Sequence, residues 1–485
     1  NGSDPSVDIY YRLTPSMNAS LTFNTDFSAT EVDDRQVNLT RFGLFFPERR
    51  DFFLNDADLF DFGRIGQGRG FNAVFNQAQG RPDRENGRPF FSRSIGLSAD
   101  GTPVDLDYGG KISGRVGRFN IGTLAIRQDA YRDVEASDLF VGRISANVLA
   151  ESTIGLIVTD GDPTSNIDNS VLGVDFRYLN SRFPGGRQLE GDLWLQRSDT
   201  EGLDGDDAAY GFRLRSPNNA GWRGGVGLAE IEANFNPAMG YVNRVGIRDT
   251  TVDVGYTHYG SGDFWQRVFF GFDAQRVNLL DGGDLQSQTV VARVFEADTN
   301  TSDTVEYHYI ASKEVVAEPF TLYEDPTRTI GVGAGDYSFG EHLLSFEAGR
   351  HRRFYGELDF QWGDFYDGTR ERVVGTLGWR ASPRFALDLG YEVNDIELPD
   401  GRFIGRLLGL TAEVAFSSTW FWVSRIQYDN ISEEMGVNSR LQWVPRAGQE
   451  GFIVLNHNLQ DFDKDNTFAS ASADLSVKLS YTFRF

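Results

Sequence analysis

The stretch Ala473–Phe485, ADLSVKLSYTFRF, decides the fold. Leu475, Val477, Leu479, Tyr481, Phe483 and Phe485 are apolar, and Asp474, Ser476, Lys478, Ser480, Thr482 and Arg484 between them are polar. Successive side chains of a strand point to opposite faces, so a period of two puts an oily surface on one side and water on the other. The same alternation runs through much of the chain. Leu358, Phe360 and Trp362 alternate with Glu357, Asp359 and Gln361, and Leu172, Val174, Phe176 and Tyr178 alternate with Asp175 and Arg177.

The aromatic ending on the oily face resembles the C-terminal strand of bacterial outer-membrane β-barrels. That resemblance makes Leu479, Tyr481, Phe483 and Phe485 an expected assembly signal for the barrel-assembly machinery. Composition agrees with a barrel. Mean hydropathy is −0.37 although aromatics make up 13% of the chain. No apolar run reaches the ~18 residues of a membrane helix. Alternating strands dilute hydropathy to that of a soluble protein while still presenting a lipid face.

The candidate strands begin with 6–14 and 17–28, resume at 90–98 and 104–117, and continue to 470–485. They number about 24, within 22 to 26, many of them longer than the five or six residues of soluble strands. An even count would put both termini on one side. A soluble propeller would need a repeated blade of 40 to 50 residues, and none is found. The fold class expected is therefore all-β, a single large antiparallel transmembrane barrel over 1–485. Tight turns such as Ser382-Pro383-Arg384 and longer acidic ones such as Ser198–Asp207 suit the two sides of such a barrel. The eight tryptophans, Trp194 and Trp222 among them, often sit close to strand ends, and interfacial girdles would explain several of them.

Residues 30–89 break the rhythm. An irregular insertion of that length is functional or disordered. Its aromatics, including Phe42, Phe45, Phe46, Phe52, Phe53, Phe60 and Phe62, point to a folded segment. A barrel of about 22 strands has a lumen that wall side chains cannot fill. Residues 30–89 are therefore expected inside it as a plug or constriction. The residues expected there are Arg41, Phe45, Phe46, Pro47, Glu48, Arg49, Arg50, Asp51, Phe52 and Phe53, with Arg49 and Arg50 pairing wall carboxylates.

Gln36–Leu54, QVNLTRFGLFFPERRDFFL, with Phe60–Gly63, Phe235–Arg248 and Tyr481–Phe485, resembles an uncharacterised outer-membrane barrel family of unknown function. Its full-length members carry a domain similar to carbohydrate-binding-module family nine. That domain is not in this sequence, so nothing about sugar binding transfers. The resemblance implies a Gram-negative outer-membrane location and no activity.

The net charge of −24 argues against a nucleic-acid partner. Only Lys111, Lys313, Lys464 and Lys478 are lysine, leaving 42 of the 46 basic residues as arginine, the side chain suited to carboxylate and phosphate forks. Cysteine is absent, which removes disulfides and thiolate chemistry. The opening NGSDPSVDIYYRL lacks a signal-peptide pattern, so Asn1 is expected to be a processed end or the edge of an ordered part.

Chemical motifs are weak. Asp61-Phe62-Gly63 and the glycines at 66, 68 and 70 lack the strand-to-helix setting of a phosphate cradle. Asp461, Asp463 and Asp465 resemble the start of a calcium loop. Asn466 and Ser472 stand where that loop needs glycine and glutamate. Those three, with Asp56 and Asp58, remain weak calcium candidates. His258, His308, His342, His351 and His457 show no metal-ligand spacing, so no metal, cofactor or catalytic residue is expected.

The leading functional expectation is a porin-like channel or uptake pore for hydrophilic solutes. The alternatives are a scaffold docking a periplasmic or surface protein, such as a secretion component or a cytochrome, and, third, an outer-membrane enzyme. The expected surroundings are the lipid bilayer and lipopolysaccharide.

Overall fold

The computed structural model describes residues 6–25, 33, 35–66, 85–260, 262, 264–446, 448–462 and 467–481. It is all-β: 25 strands and a few short helical turns. Twenty-three of the strands form one antiparallel sheet in which sequence neighbours pair. The sheet starts with β1 (Val7–Thr14), β2 (Met17–Phe23) and β3 (Leu106–Val116) and ends with β25 (Ala469–Tyr481). The remaining two, β15 (Phe320–Asp325) and β16 (Arg328–Val332), form a separate hairpin.

The count falls within the expected range but is odd in the main sheet. The first and last strands therefore run in the same direction. Among the described residues no ladder joins them. Two expectations are corrected. The stretch 90–98 is not a strand: Ser92–Ser94 is a helical turn, and the chain stays irregular until Leu106. The connection between β2 and β3 thus runs over 24–105. The β15–β16 hairpin falls in a stretch where no strand is expected; Ile330 and Val332 are buried there.

Alternation sorts the side chains as the sequence implies. On one face Leu193, Phe212, Val226, Val252 and Phe272 are exposed. Register brings this face together, with Leu193 opposite Phe212, Val226 opposite Val252 and Val254 opposite Phe272. Such a band exceeds any apolar patch a soluble monomer exposes and matches a lipid-facing belt. The other face is polar or covered, with Gln196, Thr289, Glu314, Gln361 and Asn394 all buried.

The sheet curls around the described residues of the 24–105 segment. β3 and β22 (Trp420–Asp429) stand seventeen strands apart in sheet order. Flat, that separation would be about 80 Å at ~4.8 Å per strand. A short run of contacts bridges it. Asp429 binds Arg35 at 2.8 Å, Asp33 two residues before binds Arg49 at 3.4 Å, Arg50 donates to the Ile95 carbonyl at 2.7 Å, and Ile95 packs with Leu106 of β3. That run covers about 60 Å between Cα atoms at most, so the sheet wraps as a barrel wall does.

The two ends differ. Pro15-Ser16, Gly117-Arg118 and Pro383-Arg384 are tight turns at one end. The longer connections 129–136, 161–168, 232–246 and 317–334 lie at the other, where the segment enters. Trp222, Trp265, Trp420 and Trp443 are exposed near the short-turn end, as an interfacial girdle requires. Trp194 is not among them; it is buried on the inner face against Phe62, ring centroids 6.5 Å apart.

Candidate functional site

The inner segment is built on aromatic side chains. Phe52 and Phe53 lie in a one-turn helix, α1 (Asp51–Leu54), and pack with Phe60, Leu106, Leu124, Val141 and Met239. Phe62 packs with Trp194, Ile157 and Ile231. Leu39 joins the β15–β16 hairpin to Phe339, Phe365 and Phe403 on the wall.

The wall is notched to receive these rings. A Cβ on Gly122 would sit 3.0 Å from the Phe60 ring, and one on Gly173 would sit 2.8 Å from Phe62. Gly63 adopts a φ of +58°, which favours glycine, and a Cβ there would meet Trp194 at 2.7 Å.

Charge then fixes the segment to distant parts of the wall. Arg35 bridges Asp429 at 2.8 Å and Glu434 at 2.9 Å. Arg41 approaches the buried Glu314 at 3.9 Å. Arg64 binds Glu190 at 2.9 Å, a carboxylate shared with Arg215. The Gly63 N–H donates to Asp175 at 3.1 Å, and Asp175 also takes a two-pronged bond from Arg143. From the wall side, the buried Lys111 ammonium donates to the Phe52 carbonyl at 2.7 Å and to that of Asn55.

Arg49 and Arg50 also meet acidic groups of the segment itself, Asp33 and Glu48. Glu48 accepts from Arg50 Nε at 2.8 Å and Nη2 at 2.7 Å, from the backbone N–H groups of Arg49 and Arg50, and from the Ser92 hydroxyl. Arg50 also donates to the Ser92 and Ile95 carbonyls and lies 4.3 Å over the Phe53 ring. Burial raises the Glu48 carboxyl, but its hydrogen bonds and the Arg50 charge outweigh that and hold it below the usual carboxylate value. The Glu48–Arg50 pair ties the two halves of the segment together.

Phe45 stacks on Phe91 at 4.9 Å and meets Tyr241 edge-on at 5.1 Å. Phe46 lies under Arg93, and the exposed Pro47 accepts from Arg93 through its carbonyl. Asp51 is exposed in the first turn of α1. A cavity of about 320 Å³ opens between the segment and β3, lined by Phe45, Glu48, Glu85, Arg88, Phe90 and Lys111 among others. Larger and more acidic, a cleft of about 670 Å³ lies by the connections 129–136 and 161–168, with Asp138, Asp162, Asp168 and Glu201 on its walls.

Asp56 accepts from Ser113 at 2.5 Å and Asp58 is exposed. Asp461 is buried near the last hairpin, and Asp463 and Asp465 lie outside the described residues. At the C-terminal signal, Leu479 is exposed and Tyr481 pairs through its backbone with Gln449. Phe483 and Phe485 lie outside the described residues. Among the described residues, the one grouping with metal-ligand geometry is Glu296, Glu306 and His308.

Two of the stretches that carried the family resemblance meet here. Arg244 lies 3.7 Å over Phe42, and Tyr241 lies against Phe45. Residues 4–102 match a family described as "Domain of unknown function (DUF5916)". The expected kinship with an uncharacterised outer-membrane barrel family is met over that part of the chain, which includes the inner segment. No curated protein matches the chain in sequence. Among solved structures it is similar to the FrpB iron transporter from Neisseria meningitidis (F3-3 variant), at 10% identity and a TM-score of 0.48, with 79% of each chain covered.

Proposed function

We propose that the chain is an outer-membrane conduit for hydrophilic solutes, and that its own 24–105 segment sets what passes. The observation that carries this reading is the pinning of one segment to separated parts of the inner wall, by Arg35 to Asp429 and by Arg64 to Glu190. A wall of 23 strands encloses more space than its side chains fill, and barrels of that size hold plugs. The exposed apolar belt supports a bilayer location. Its longer connections, facing outward, leave the tight turns in the periplasm. Carboxylates on the inner wall and at the segment-side rim favour cations and neutral polar solutes over anions.

Liposome swelling with the purified chain tests this. Small neutral sugars and cations are expected to enter slowly with the intact protein and several-fold faster when the segment is loosened. An impermeable barrel under both conditions, co-purifying with a stoichiometric protein, would favour the scaffold reading instead.

A further inference from the structure

Away from the segment, the inner wall sets like charges opposite one another across neighbouring strands. Strands β11 (Ile247–Tyr259), β12 (Trp265–Leu279), β13 (Leu285–Thr299) and β14 (Thr304–Val316) are consecutive neighbours. Their register sets Asp253 directly opposite Asp273, and Glu296 directly opposite Glu306. Like charges facing each other across a ladder destabilise it, and here Asp273, Glu296 and the neighbouring His308 are all buried.

Four guanidiniums, those of Arg213, Arg223, Arg267 and Arg293, stand near these carboxylates. Arg223 and Arg293 lie over the Phe269 ring at 3.8 and 4.5 Å. Arg293 is bonded to Glu296 and stands 3.7 Å from Asp273. Arg267 is engaged with Asp298 at 2.5 Å. The Asp273 Oδ2 atom, turned towards Arg293, is buried without a hydrogen-bond partner, as is His308 Nδ1.

We propose that Glu296, Glu306 and His308 hold one divalent transition-metal ion on the inner wall. Their ligand atoms lie within 4.8 Å of one another. His308 Nε2 is 3.2 Å from Glu296 Oε1 and 3.8 Å from Glu306 Oε2. The second distance is too long for a hydrogen bond. Both bracket the roughly 3.4 Å edge of a tetrahedron with metal–ligand bonds of ~2.0–2.2 Å. Mixed imidazole and carboxylate donors select a zinc-like ion over calcium or magnesium. The Glu306 side chain is part-exposed, which leaves the remaining coordination positions open to the lumen. Arg293 donates to the same Glu296 Oε1 and orients that carboxylate.

The test is titration of the folded full-length chain, stripped with chelator, with Co²⁺ as a coloured probe and Zn²⁺ as competitor. One Co²⁺ per chain, giving visible absorption of a low-coordinate ion and displaced by Zn²⁺, is the expected result. Glu306→Gln and His308→Gln should each weaken binding at least ~10-fold, whereas Asp138→Asn on the outer acidic cleft should leave it unchanged. Should His308→Gln fail to fold, the part-exposed Glu306→Gln and the wild-type stoichiometry still decide. The proposal is overturned if the wild type binds no stoichiometric ion, or if binding survives both site variants or follows Asp138→Asn.

Discussion

Glu48 concentrates the chemistry of the inner segment in one carboxylate. It and its partner Arg50 have side chains about 10% exposed, so removing one charge leaves the other buried and unpaired. Glu48→Gln is expected to cost about 3 kcal/mol of segment docking. Hydrogen exchange over 52–62 reads this as faster exchange, with the barrel strands unaffected. Because the folded carboxyl is held below its ordinary value, its contribution is fully present above the unfolded pKa and is lost as pH falls through the folded one. Docking should therefore be flat between neutrality and about pH 5 and weaken only below the ordinary glutamate value of ~4.3. The same exchange measured against pH checks it, and in Glu48→Gln that acid step should shrink. The pattern Phe45-Phe46-Pro47-Glu48-Arg49-Arg50 announced a folded segment in the sequence. Its pairing was not legible, because the Arg50 acceptors at Ser92 and Ile95 lie more than forty residues on, within the stretch that alternation had marked as a strand. For His308, the signal lay in Glu306-x-His308, two residues apart and so on one face, but the third ligand comes from the register of the neighbouring strand.

The glycine notches in β4 (Phe119–Gln128) and β7 (Asn169–Phe183) show how a wall element positions the segment. Gly122→Val and Gly173→Val would drive a side chain into the Phe60 and Phe62 rings. Each is expected to destabilise docking by about 1–3 kcal/mol, the range for overpacking a fitted contact. Limited proteolysis of folded protein should then cut within the segment at lower protease concentration. Alternation could not flag these glycines, since a missing side chain leaves no mark on the apolar period. The place of Trp194 was not legible for a related reason: its indole occupies space above Gly63 on the inner face, where the sequence offered only a strand position. The β15–β16 hairpin is five to six residues per strand, too short for the spanning pattern that identified the others.

For the barrel as a whole, lipid and segment act on opposite faces of one sheet. Phe272→Arg places a charge in the apolar belt and is expected to lower stability by about 2–4 kcal/mol in a bilayer. Denaturant titration of the reconstituted protein measures it, and a loss near zero would remove Phe272 from the lipid face. The fold class and strand number were readable because alternation is a local property of each strand. Which wall residues hold the segment was not, since that depends on contacts such as Arg35 with Asp429, separated by nearly the whole chain. The most direct measurement is single-channel conductance in a planar bilayer of the intact chain and of a variant with 35–102 replaced by a short linker, each confirmed folded by heat-modifiable mobility. Small or absent conductance in the intact protein and large, steady, cation-preferring conductance in the variant is the result expected here. Equal conductance in the two would contradict a segment that governs passage.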